Sequence, residues 1–312
     1  MKGKTVIRIG TRKSALAMWQ AEYVAGLLRN EGFLPQIVSM ETKGDRMLSV
    51  AIAGIGSKGV FTEELEQVLR DGEIDLAVHS AKDLASELPD GFSILALTER
   101  EPAHDVLVSH RDLKLDDRVK GLVIGTSSTR RKAMLRHYYP GAEHADIRGN
   151  LQTRIAKMER GDCDALLLAY AGVRRMGYLH LLRQELDTRI FTPAAGQGSL
   201  AIEIYRGMNP LLRLQIRRCL NHPETEAAIR AERAFLKALH GGCSIPAFAL
   251  ATLHGQEIEI RAGIYSLDGK RCVHLENRGP ALHPARLGRS IGLEVLRRGG
   301  KEILDQIRQS TS

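Results

Sequence analysis

Short apolar runs alternate with longer amphipathic stretches over the first two-thirds of this chain, and that alternation restricts the fold more than any other feature. Thr5 to Ile9 reads as a strand, followed by a helix from about Ser14 to Arg29 with Leu16, Trp19, Tyr23 and Leu27 on one face. Gln36 to Met40 is a second strand. Phe61 to Arg70 is a helix opened by Thr62, with Glu63 and Glu64 favourably placed in its first turn. Ile74 to Val78 and Ile94 to Leu97 continue the strands. The pattern restarts at Leu122-Val123-Ile124, with helices after Ser128 and Asn150 and a buried strand from Ala165 to Ala169. The spacing predicts parallel sheets covered by helices, in two doubly wound α/β domains.

After residue 220 the pattern changes. Pro223 can begin a helix, with Glu224 and Glu226 in its first turn, Lys237 and His240 in its last, and Gly241-Gly242 to stop it. Strand-like segments at Ala247 to Leu253, Glu257 to Tyr265 and Arg271 to Glu276 are joined at His-Gly and Asp-Gly turns, which predicts an antiparallel meander. A helix over roughly Ala285 to Arg298 should cover one face. The expected architecture is two doubly wound domains plus a smaller C-terminal α+β domain. The expected boundaries are 1–98 with 199–218 for the first, 104–192 for the second and 221–312 for the third. A length of 312 residues fits two or three cores.

The 45 Lys and Arg against 37 Asp and Glu leave a net charge of +8, which suits nucleic acid, an anionic membrane surface or a polyanionic small molecule. Aromatic residues are only 4% and do not interleave with basic ones as a base-stacking platform requires, so no nucleic-acid partner is expected. No apolar run approaches the roughly 20 residues that span a bilayer. The N-terminal run is broken by Arg8 and lacks the apolar core of a signal peptide, so a cytoplasmic protein without a membrane partner is expected. Cys163, Cys219, Cys243 and Cys272 form no C-x-x-C pair, and no metal site is expected.

In open α/β sheets, ligands collect at the carboxyl ends of the strands. Those ends here carry Thr11-Arg12-Lys13-Ser14, His79-Ser80-Ala81-Lys82-Asp83 and the stretch GTSSTRR, which holds Thr126, Ser128, Arg130 and Arg131. "DIRGNLQTR" adds Arg148 before a helix capped by Asn150, with Arg154 one turn inside; Arg174-Arg175 follows "LLLAYAG". Helix amino termini present free N–H groups and partial positive charge, and arginine adds a planar fork for carboxylate or phosphate. Repetition of this arrangement predicts a cleft for a ligand with several separated anionic groups.

Asp83 weakens a pure anion trap, so it either neutralises Lys82 or takes part in chemistry. His79 reads as a structural histidine in preference to a proton shuttle. "GIGSKG", residues 54 to 59, fits a Gly-rich pattern but lies outside the first βα turn and lacks Walker spacing. It reads as an anion-covering loop, not a nucleotide site. Cys243 follows Gly241-Gly242 at the negative end of a helix, which disfavours a fast thiolate nucleophile and leaves a permanent covalent anchor or an inert thiol.

The motifs "GTSSTRR", "LRHYYPGAEHADIRGNLQTR", "HSAKDL", "PAAGQG" and "ERAFLKALHGGCSIP" together resemble the hydroxymethylbilane synthase (porphobilinogen deaminase) family, in family order from Arg8 to beyond residue 300. The resemblance implies two periplasmic-binding-protein-like domains facing a cleft, and a third domain carrying a dipyrromethane cofactor joined by a thioether to Cys243. It implies stepwise head-to-tail condensation of four porphobilinogen molecules onto that primer with loss of ammonia, then hydrolytic release of hydroxymethylbilane. Matching cofactor and substrate contacts are Arg12, Ser14, Ser80, Lys82, Thr126, Ser128, Arg130, Arg131, Arg148, Arg154 and Arg175. Asp83 matches the catalytic aspartate that faces pyrrole N–H groups and stabilises the cationic azafulvene. Residues 42 to 60 match a flexible loop over the cleft, with Lys58 and Phe61 in place. The family's usual state is a monomer. Gly54 stands where many members have lysine, and Ala85 where proline is common. A non-catalytic anion-binding protein of the same architecture would explain the arginines but give Asp83 and the Cys243 loop no purpose.

Overall fold

The computed structural model describes residues 5–42, 62–116, 119–241 and 245–311. They fall into two compact units: the described residues up to Glu101 together with Ser199–Glu226, and Pro102–Gly198 together with the described residues from Ala227 onward.

The first unit is built on a five-stranded sheet of β1 (Val6–Arg12), β2 (Leu34–Met40), β3 (Leu76–Ser80), β4 (Phe92–Leu97) and β10 (Leu200–Tyr205), in the order β2-β1-β3-β10-β4. The second unit repeats the plan with β5 (Asp105–Val108), β6 (Val123–Gly125), β7 (Glu143–Ala145), β8 (Ala165–Ala169) and β9 (Leu182–Glu185), in the order β7-β6-β8-β5-β9. The alternation predicts parallel sheets, and here the structure differs. In the first sheet β10 runs antiparallel to β3 and β4, and in the second β5 runs antiparallel to β8 and β9. Each reversed strand follows directly on a passage of the chain from one unit into the other. It enters its sheet without the helical crossover that a parallel neighbour needs.

Helix α1 (Ala15–Asn30) lies on the first sheet, and its inner face differs from the expected one. The structure buries Ala17, Gln20, Ala21, Val24, Ala25 and Leu28, while Trp19 and Tyr23 stack on each other at the surface with ring centroids 5.6 Å apart. Small side chains let the helix approach Ile7, Ile9 and Ile202 closely, and these residues share one core. The other helices of this unit include α2 (Glu63–Arg70), which follows the expected one, and α6 (Pro210–Leu220). Thr62 precedes α2 without a side-chain capping bond.

In the second unit, α3 (Thr129–Tyr138), α4 (Leu151–Glu159) and α5 (Tyr170–Arg175) follow β6, β7 and β8. The expected meander is present as β11 (Ala247–His254), β12 (Glu257–Tyr265) and β13 (Cys272–Pro280), all antiparallel. Helices α7 (Pro223–Ala238) and α8 (Pro284–Val295) cover it, with Phe235, Ile260, Ile264 and Ile291 in a common core. The chain then kinks at Arg298 and Gly299, where φ reaches +107°, and continues as α9 (Lys301–Thr311), which the sequence pattern does not announce. Phe248 and Tyr265 of the meander pack with Met134 and Phe191, and the hydroxyls of Tyr265 and Tyr138 lie 3.0 Å apart. The small sheet and the second large sheet therefore share apolar contacts.

Candidate active site

A Gly-Thr pair stands near the carboxyl end of a strand in each unit, Gly10-Thr11 in β1 and Gly125-Thr126 at the end of β6. A Cβ on Gly10 would stand 2.2 Å from Ile74 Cδ1, and one on Gly125 would stand 2.7 Å from Cys163 Sγ, Ile147 Cγ1 and Leu166 Cδ2. Both threonines are buried. Thr11 Oγ1 donates to Ala17 O, and Thr126 Oγ1 accepts from the Ser128 N–H. The chain then enters a helix through a serine cap: Ser14 accepts from Ala17 N at 3.3 Å, and Ser128 from Arg131 N at 3.4 Å. The hydroxyls that the sequence places at these strand ends thus build the turns as well as line them.

Arg12 is the last residue of β1 and is half-buried. In the same unit β3 ends at Ser80, whose Oγ accepts from the buried Gln20 amide at 2.9 Å. A single 3-10 turn, Ala81–Asp83, follows, held to the neighbouring strand by Ala81 N to Ser199 O at 3.0 Å. It places Lys82 half-buried and Asp83 exposed.

In the second unit Arg148 follows β7 and is half-buried. Asn150 caps α4 by accepting from Thr153 N at 2.8 Å, and Arg154 Nε donates to Gly149 O at 2.8 Å. Arg175 ends α5 and donates to Gly198 O at 3.0 Å. Within each unit, every described residue that the sequence matches to a cofactor or substrate contact, and Asp83, follows or ends a strand of the parallel set at its carboxyl end.

Arg130 and Arg131 are organised by a residue that the sequence reading passed over. Asp105, at the start of β5, is fully buried. Its Oδ2 accepts from Arg130 Nη2 at 2.6 Å and its Oδ1 from Arg131 Nη2 at 2.7 Å, while Gln197 Nε2 donates to Oδ1 at 2.9 Å. The second Nη of each arginine goes to a main-chain carbonyl, Thr192 O at 2.8 Å and Leu167 O at 3.0 Å. Burial pushes the Asp105 carboxyl upward, but the charges of Arg130 and Arg131 with the bonds from Arg131 and Gln197 outweigh it and hold it far below the usual carboxylate range. One negative charge faces two positive ones. The Nε–H of each arginine is buried and has no hydrogen-bond partner in the structure. The only sequence signal for Asp105 was an acid opening the apolar run DVLVS.

Cys243, Lys58 and Phe61 lie outside the described residues, as does Gly54. The other thiols are poor nucleophiles: burial pushes Cys163 and Cys272 up to about 11, and Cys219 also upward. Among the described residues no group of three or more His, Cys, Asp or Glu is arranged to hold a metal ion. No described helix is long and apolar enough to cross a membrane.

Cationic and hydroxyl groups stand at the carboxyl ends of the parallel strands within each sheet, the edge at which open α/β sheets take their ligands. The chain belongs to the porphobilinogen deaminase family. Residues 7–212 match the family's "dipyromethane cofactor binding domain" and residues 227–297 its "C-terminal domain". Porphobilinogen deaminase of Desulfosudis oleivorans is 50% identical over 304 residues, 97% of this chain and 98% of its own length. That of Cytophaga hutchinsonii is 51% identical over 306 residues, 98% of each. Among solved structures, substrate-binding domain 2 of Lactococcus lactis GlnP in its open conformation aligns over 70% of this chain and 89% of that one, at 13% identity and a TM-score of 0.43. A likeness that faint adds nothing to the family assignment. The family makes the chain a transferase of tetrapyrrole biosynthesis.

Proposed function

We infer that this protein condenses four porphobilinogen molecules head to tail, with loss of ammonia from each, and releases hydroxymethylbilane by hydrolysis. Family membership supports the reaction. The residue roles rest on one observation: Lys82 and Asp83 share a turn at the end of β3, in the unit whose β1 end carries Arg12 and Ser14. Each pyrrole of porphobilinogen bears an acetate and a propionate, so the growing chain is a polycarboxylate. In this reading Arg12, Ser14, Ser80, Lys82, Thr126, Ser128, Arg148, Arg154 and Arg175 bind those carboxylates. Arg130 and Arg131 bind one as well, through the charge left over at Asp105 and their two unpartnered Nε–H groups.

The same orphaned donors fit a dipyrromethane cofactor, whose own carboxylates would pair with them; Cys243 would hold it through a thioether. When bound, the cofactor supplies the pyrrole carbon on which the first bond is made. Asp83 accepts hydrogen bonds from pyrrole N–H groups. As the substrate's C–N bond breaks and ammonia departs, its carboxylate stabilises the positive charge left on the methylene-pyrrole. A carbon–carbon bond then forms, and the proton lost from the attacked ring passes to solvent by way of Asp83. The protein works as a cytoplasmic monomer, without nucleic acid.

Intact mass tests the cofactor assignment: the wild-type protein from a haem-producing host carries a dipyrrole adduct, and Cys243→Ser does not. Asp83→Asn keeps the adduct but loses nearly all turnover of porphobilinogen. Turnover within a few-fold of wild type would remove Asp83 from its role.

A further inference from the structure

Close behind the Lys82–Asp83 turn, the first unit buries ionisable groups that the reaction does not use. Glu203 on β10 is fully buried, and His79 on β3 and Glu66 on α2 are 7% and 8% exposed. His79 pairs across the ladder with Ala201, and Glu203 with Ala77, so the imidazole and the carboxylate project from the same sheet face as diagonal neighbours. That face is apolar where α2 covers it, for Leu65 and Leu69 pack there with Ala77 and Phe92. His79 Nε2 stands 2.9 Å from Glu203 Oε2. Yet neither that nitrogen nor either oxygen of Glu203 makes a hydrogen bond in the structure. The two groups are in close contact without an aligned bond. Burial above all pushes the Glu66 carboxyl upward, with Glu203 acting in the same sense and the Thr62 hydrogen bond and His79 opposing.

As a source of stability this is a poor arrangement. Two ionisable groups taken out of water, without the hydrogen bonds that would compensate, hold a fold less well than apolar side chains of the same size. Its location gives it another use. His79 is followed by Ser80, where β3 ends opposite Leu200, and then by the turn bearing Lys82 and Asp83. The contact between His79 and Glu203 opposes sliding of β3 along β10 within four residues of Asp83, one residue before the ladder ends at Ser80 and Leu200. We propose that His79 and Glu203 are positioning residues for the reaction, a buried imidazole–carboxylate contact that fixes the end of β3 and so the place from which Lys82 and Asp83 reach the substrate. The proposal rests on the reading of Asp83 as catalytic. It assigns to the pair no contact with substrate and no proton transfer.

The test uses the full-length, adduct-bearing enzyme, with His79→Gln, Glu203→Gln and the two combined. Misplacing a reacting group by about 1 Å can cost about 100-fold in rate. Both single variants should therefore lower kcat by about 10-fold to 100-fold, with KM for porphobilinogen within about 2-fold of wild type. The double variant decides between positioning and mere stability, because it leaves neither buried ionisable group behind without the other. If the pair positions the turn, the double variant melts at or above the single variants while kcat stays low. Recovery of wild-type kcat in the double variant overturns the proposal, and so does a raised KM at unchanged kcat. Should the single variants fail to fold, the double variant carries the comparison. Asp83→Asn is assayed alongside: near-normal turnover there sinks the catalytic reading itself, whereas an inactive Asp83→Asn beside a fully active double variant sinks only the pair.

Discussion

Replacing Asp105 by Asn changes one oxygen to an amide and removes the single negative charge that holds two buried arginines. In the native protein each carboxylate oxygen serves one guanidinium, at 2.6 Å and 2.7 Å. An asparagine can accept from one of them only, and its NH2 group must face the other's N–H groups. Breaking a buried ion pair by removing one partner typically costs about 3–5 kcal/mol, since the surviving charge stays desolvated. For a unit of this size that corresponds to a fall of roughly 10 °C in Tm. The loss belongs to the second unit, whereas the one tryptophan, Trp19, lies in the first. Urea unfolding at pH 7 followed by far-UV circular dichroism should therefore begin earlier in Asp105→Asn, while Trp19 fluorescence moves less. The pH dependence has a definite sign. Asp105 is depressed in the folded state. Its contribution is thus fully present above the unfolded carboxylate value near ~3.9 and fades as the pH falls below it towards the native value. The gap between wild type and Asp105→Asn should narrow by about 1 kcal/mol between pH 5 and pH 3. A variant that unfolds within 1 kcal/mol of wild type at pH 7, or a gap that widens on acidification, would refute the view that Asp105 holds the pair.

Further expectations concern packing and thiol chemistry. Gly125→Ala puts a methyl within 2.7 Å of three side-chain atoms at the mouth of the site, and should cost about 1–3 kcal/mol in thermal or urea unfolding. Phe235→Ala empties the core under the small sheet and should destabilise it by about 3–5 kcal/mol, measured in the same way. Because burial holds Cys163 and Cys272 near 11, both should react slowly with a thiol reagent at pH 8 in the native protein and rapidly once it is unfolded in urea. Fast native labelling mapped to either residue by peptide mass would contradict that assignment.

Legibility in the sequence followed the range of the interaction responsible. The Asn150 cap and the antiparallel meander were readable because capping and turn signals act over a few residues, although Thr62 makes no side-chain capping bond. Placement of the basic residues at strand ends was readable for the same reason. The inner face of α1 was misjudged because large aromatic side chains suggested a core, while close approach to the sheet selected Ala17, Ala21 and Ala25 instead. Strands β5 and β10 went unforeseen, and so did the reversal each makes within its sheet. Their partners lie far away along the chain, and no local propensity records that.

Alternating apolar and amphipathic segments, together with the spaced motifs, were enough by themselves to set the α/β class, the family and the sheet edge that carries the basic residues. What only tertiary structure decided was how the charges are disposed. The adjacent Arg130 and Arg131 turn inward to Asp105, and His79 meets Glu203 across a strand ladder. The physical reason is that a side chain's charge acts through space on whatever the fold brings near, and 25 or 124 residues of intervening chain leave no trace of that meeting in composition or periodicity.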